Sequence, residues 1–121
     1  MRKLSAIGLL LLLSGLALAF APGATLHGYV IDNACSARAK SADGAEKVKN
    51  HSTKCALMPS CTASGYAVLS EGKLYKLDEA GNKQVVEILK NTKSEKGLAV
   101  AIEGTVDGET IHATKVTEET K

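Results

Sequence analysis

Between His51 and Cys61 the chain reads HSTKCALMPSC, which places an imidazole, two thiols and a thioether within eleven residues. Side chains of these types bind soft and borderline metal ions, pair as disulfides, or carry out thiol chemistry. One other cysteine, Cys35, completes the set. In a metal reading, His51 and Cys55 are four residues apart and share one face of a helix, one turn apart. Cys61 folds back beyond Pro59, and Cys35 enters from the end of a preceding strand. Cys35, His51, Cys55 and Cys61 then supply three thiolates and an imidazole, a donor set of closed tetrahedral zinc sites. Met58, one further turn along, would add a thioether and move the preference towards copper(I). The spacing is not the paired C-x2-C of the strongest zinc patterns.

Two other readings stay open. A small exported domain can be stapled by a disulfide and need no cofactor. Cys55 and Cys61 could close a loop across Pro59, with Cys35 left free or exchanged into the bond, because connectivity cannot be read from spacing. In a thiol-redox reading, one thiol attacks a disulfide formed by the other two. No C-x-x-C pair supports that chemistry, and Lys54 beside Cys55 is a weak reason for a lowered thiol pKa. A cysteine nucleophile with His51 as base lacks a visible orienting group or oxyanion device, so no enzyme is expected. Asp32 reads first as a strand-end cap and second as support for His51. His27 and His112 alternate with apolar neighbours and read as outward or half-buried strand residues, with His27 the better placed to join a site.

The amino terminus bears on the compartment. Met1-Arg2-Lys3 precedes an apolar run with small residues at its end, the layout of a cleaved export signal. Cleavage after Ala19 is expected, since cutting after Ala21 would place Pro22 next to the scissile bond. The competing reading is an uncleaved anchor, because the run approaches the roughly 18–20 residues that span a bilayer. With processing, residues 1–19 leave as signal peptide and residues 20–121 form one small domain with no stable membrane span. Arg2 and Lys3 go with the signal, leaving 13 Lys and Arg against 13 Asp and Glu. A near-neutral domain lacks the basic footprint of nucleic-acid or anionic-membrane binders, so neither is an expected partner.

The rest of the chain must position the cysteines. Thr25–Asp32 alternates Leu26, Gly28 and Val30 against His27, Tyr29 and Ile31, a strand in which Gly28 marks a bend or bulge. Residues 33–64 are a polar insert with one helix from about Asp43, a cap followed by Glu46, towards Cys55 and ending before Pro59. YAVLS, the Glu71-Gly72 turn and KLYKL form a hairpin. Asp78 to Lys93 is a short amphipathic helix with Val85, Val86 and Leu89 on one face. Leu98–Glu103 and ETIHATKV are two further strands joined at Asp107-Gly108. The spacing of Ile111, Ala113 and Val116 breaks alternation and predicts a bulge.

This order predicts a mainly β protein with minor α: a five-stranded OB-like Greek-key barrel or half-barrel, with a helix between strands 3 and 4 and the Cys/His insert between strands 1 and 2. The competing architecture is an open antiparallel sheet covered by helices. With DNAC (residues 32–35), HSTKCALMPSC and SGYAV (residues 64–68), the chain resembles small uncharacterised secreted bacterial proteins of OB-like fold. These carry an Asp-x2-Cys after the first strand, a His-x3-Cys-x5-Cys insert and a Gly-Tyr start to the second strand. The resemblance spans most of the mature chain and implies a bacterial periplasmic or extracellular location. It brings no catalytic role to any cysteine or histidine. The expected function is an exported binding or structural module whose Cys/His cluster holds zinc or copper. The alternative is a disulfide-stapled module that binds an envelope partner, a saccharide or another small ligand.

Overall fold

The computed structural model describes residues 24–120. The expected signal peptide, residues 1–19, lies outside the described residues. Five strands close into a barrel: β1 (Ala24–Asp32), β2 (Tyr66–Ser70), β3 (Lys73–Leu77), β4 (Ala99–Asp107) and β5 (Thr110–Glu118). Their order is β1-β2-β3-β5-β4, with β4 pairing back onto β1. All pairs are antiparallel except β3 with β5, which run parallel at Lys76–Thr110 and Leu77–Ile111. This is the OB-like Greek-key barrel, and its closure excludes the open-sheet alternative.

β1 serves two neighbours in succession. Ala24–Tyr29 pairs with β4 and Tyr29–Asp32 with β2, so the strand must curl at Gly28. A Cβ at Gly28 would lie 2.3 Å from the Leu69 carbonyl oxygen, and only glycine permits that approach. The bulge expected in β5 also forms. Ala113 opposes Gly104 while Lys115 opposes Glu103, leaving Thr114 as the extra residue. Ala113 and Val116 therefore both face inward, although alternation alone would separate them.

Alternation along β1 and β2 sorts two cores. Val30, Tyr66 and Val68 point into the barrel, where they meet Val100, Ile102, Ile111 and the inner face of α4 (Glu79–Asn91). Ile31, Ala67 and Leu69 point outward and are covered by the insert through Val48. Ile31 and Val48 are both fully buried. Burial of each such side chain contributes about 1.5–3 kcal/mol, which fastens the insert to the barrel.

The insert differs from expectation. It holds a 3-10 helix (Asn33–Lys40), then α1 (Gly44–Lys49), α2 (Thr53–Ala56) and α3 (Pro59–Ser64), instead of one helix from Asp43 to Cys55. The break at residues 50–52 has a tertiary cause. The loop before β4 pairs with this backbone, with Gly97 N–H donating to the His51 carbonyl at 3.0 Å and Thr53 N–H to that of Glu95 at 3.0 Å. A Cβ at Gly97, whose φ is 68°, would lie 2.2 Å from the Lys49 carbonyl oxygen. Pro59 opens α3 at its first turn, where a missing N–H costs nothing, and α2, which carries Cys55, ends before it at Ala56. Asp43 occupies the N-cap position of α1 without a capping bond; its carboxylate meets the Ser41 hydroxyl and Lys47 instead.

Candidate metal centre

Asp32 is the hub of the insert. It continues the inward parity of Leu26, Gly28 and Val30, which puts a carboxylate on the apolar face of β1 at the barrel's end. The residue is fully buried. As N-cap of the 3-10 helix it accepts from the Cys35 backbone N–H at 3.0 Å through Oδ2. Through Oδ1 it lies 2.7 Å from His51 Nε2, so Nε2 carries the proton and donates to the ionised carboxylate. His51 is itself buried, and its backbone is held by Val48 and Gly97. Both sequence readings of Asp32, as cap and as support for His51, are present at once.

Two thiols converge on the same carboxylate. Cys35 lies in the first turn of the 3-10 helix, and Cys61 on α3. One carboxylate oxygen of Asp32 and the sulfurs of Cys35 and Cys61 all lie within 4.8 Å of one another. Burial raises the Asp32 pKa, but the hydrogen bond from His51, that from Cys35, the His51 charge and the bond from Cys61 hold it below the usual carboxylate value. The thiols move the other way. Burial, then the hydrogen bond to Asp32 and its charge, push Cys35 up to about 11, with Arg38 opposing. Burial first, then the charge of Asp32 and the bond to it, raise Cys61. At neutral pH the metal-free cluster is thus one carboxylate holding two protonated thiols, and a cation must displace both protons to bind.

The structure divides the ligand set expected from sequence. It brings Cys35 and Cys61 together and substitutes Asp32 for the imidazole, while His51 contacts the carboxylate. Cys55 lies outside the cluster: it is half-buried on α2, with its N–H capped by the Ser52 hydroxyl at 3.3 Å. The helix break separates it from His51, so the one-face argument for that pair fails. Met58, the residue that precedes α3, is 53 % exposed. His27 is exposed and pairs with Glu119, and His112 is exposed near Asp78, so neither joins the site. All three cysteines are free thiols, without the Cys55–Cys61 bond of the stapled alternative. One sequence signal pointed to Asp32 as a donor: an acid in register with the apolar face of its strand.

Two sulfurs and a carboxylate oxygen form a donor group that could hold a metal ion, and the buried, ionised Asp32 would supply charge to it. No family model, curated protein or solved structure matches the chain. Among the described residues, no helix is long and apolar enough to cross a membrane.

Proposed function

We propose that this protein is a small exported bacterial module whose insert is organised by a metal ion held by Asp32, Cys35 and Cys61. The observation that carries the reading is the convergence of the three ligand atoms within 4.8 Å, although Cys61 lies 26 residues along the chain from Cys35 and 29 from Asp32. Zinc fits the group better than copper(I), because a hard carboxylate joins the two thiolates and zinc accepts all three donors. His51 acts behind the ligand, fixing the carboxylate's orientation and its charge. Three protein donors leave a fourth position open, whereas a closed structural site would fill it. The role is binding or structural, towards an envelope partner or a small ligand.

Titration of the reduced protein with cobalt(II), followed by zinc, tests this reading. Two thiolate ligands should give strong sulfur-to-cobalt charge-transfer absorption that zinc abolishes, and native mass should exceed denatured mass by one ion. Cys35→Ser and Cys61→Ser should each weaken binding by at least about tenfold, the lower end for lost site partners, while Cys55→Ser leaves it intact. A protein that takes up no ion, or one isolated two hydrogens light with Cys35 joined to Cys61, would overturn the proposal in favour of the stapled module.

A further inference from the structure

The cluster leaves Cys55 without a role, and the groove in which this residue sits supplies one. That groove, of ≈ 530 Å³, is lined by Arg38, Lys47, Asn50, His51, Ser52 and Cys55. Its charged members are cations, and no carboxylate lines it. Lys47 is neutralised by Asp43 at 3.2 Å. Arg38 has no ion pair among the described residues. Asn50 donates one side-chain N–H to the Glu46 carbonyl at 2.9 Å. Ser52 accepts from the Cys55 N–H through its oxygen, which leaves its own proton free to donate. Cys55 has no hydrogen-bond partner for its sulfur among the described residues, in contrast to the two thiols that Asp32 engages.

A guanidinium, a hydroxyl proton and a thiol line one groove that has no carboxylate among its lining residues. We infer that this groove binds a small oxyanion, a carboxylate or phosphate group, clamped by Arg38 and presented to the Cys55 thiol. Arginine's planar fork suits both groups, since two parallel N–H bonds match two oxygens. The lining contains no Phe, Tyr or Trp ring on which a neutral sugar could stack, and its cations repel a metal ion. The site adjoins the metal-ligand cluster through His51, but it needs no ion in that cluster and goes beyond the metal reading.

Cys55 itself reports on the groove. Iodoacetate and iodoacetamide both alkylate the thiolate, so the ratio of their rates cancels the thiol's ionisation and reads the attraction for a carboxylate. The metal-free protein would be labelled briefly with each reagent, and the extent at Cys55 resolved by peptide mass mapping. The native ratio, divided by the ratio in urea, should be about tenfold, the size of one charge-assisted contact. Arg38→Gln should return it to about one without slowing iodoacetamide. In the unaltered chain, millimolar inorganic phosphate should slow the native iodoacetate reaction at Cys55. A native ratio equal to that in urea would overturn the proposal, as would a raised ratio that survives Arg38→Gln or an iodoacetate rate that phosphate leaves unchanged. Because the readout needs no bound metal, failure here is distinguishable from failure of the cobalt titration.

Discussion

The molecule builds the same local device twice, with opposite results. Asp32 ends β1 and caps the 3-10 helix; Asp78 follows β3 directly and caps α4, accepting from Gly81 N–H at 2.9 Å and from Ala113 N–H at 3.3 Å. Each aspartate also faces a histidine. Asp32 and His51 lie 2.7 Å apart with side chains 0 % and 6 % exposed, whereas Asp78 and His112 lie 3.7 Å apart and are 26 % and 54 % exposed. Water solvates the second pair, so it needs no further partners and remains a cap. The insert excludes water from the first, and the carboxylate must then draw its partners from protein: an imidazole, a backbone N–H and two thiols. A capping aspartate becomes a candidate ligand when a second layer covers it.

The largest difference between the two should appear on deleting each carboxylate. Asp32→Ala strands an imidazole, a backbone N–H, the buried Cys61 thiol and the half-buried Cys35 thiol, and should cost about 3–5 kcal/mol in urea denaturation of the metal-free protein. Asp78→Ala loses a cap open to water and should cost about 1–2 kcal/mol. Equal losses would reduce Asp32 to a cap.

Alkali should separate them next. Cys35, pushed up to about 11 from its ordinary 9.0 by burial and then by Asp32, stays protonated in the folded state after the unfolded state has ionised. Its contribution is present in full below pH 9 and is lost as pH rises through 11. Unfolding free energy of the metal-free protein should therefore fall by about 2–3 kcal/mol across that window. Cys35→Ala should flatten this part of the profile, and Asp78→Ala should leave it unchanged. An identical slope in Cys35→Ala would remove the thiol from the network.

The smallest contrast concerns the histidines. His51→Gln keeps a donor but misplaces it, and should cost about 1 kcal/mol. His112→Gln should stay within about 0.5 kcal/mol, as expected of a solvated pair. Thermal unfolding of the two variants side by side checks this, and a larger loss from His112 would invert the ranking.

Much of the barrel was legible because its signals are local. YAVLS and KLYKL around Glu71-Gly72, the helix that begins next to Asp78, the Asp107-Gly108 turn and the broken alternation of β5 all appear in the structure where the sequence places them. Each rests on backbone preferences within a few residues. The insert was less legible. A polar stretch rich in Ala and Lys has no period that distinguishes one helix from three short ones, and the partner that breaks it, the loop at residues 94–97, lies over 40 residues away.

The sequence by itself determined the donor types, the order of strands and helices along the chain and the position of the cysteine insert between β1 and β2. Local propensity and side-chain period decide these features before any distant contact forms. Only the tertiary structure decided which donors meet. Asp32 joins Cys35 and Cys61 because β1 ends beneath α3. His51 reaches the carboxylate because the Gly97 loop draws its backbone out of helix. Cys55 lies on the far side of that same break and lines a groove with Arg38 and His51 instead of joining the cluster. Ligand convergence depends on contacts between residues tens of positions apart, and spacing along the chain does not encode those contacts.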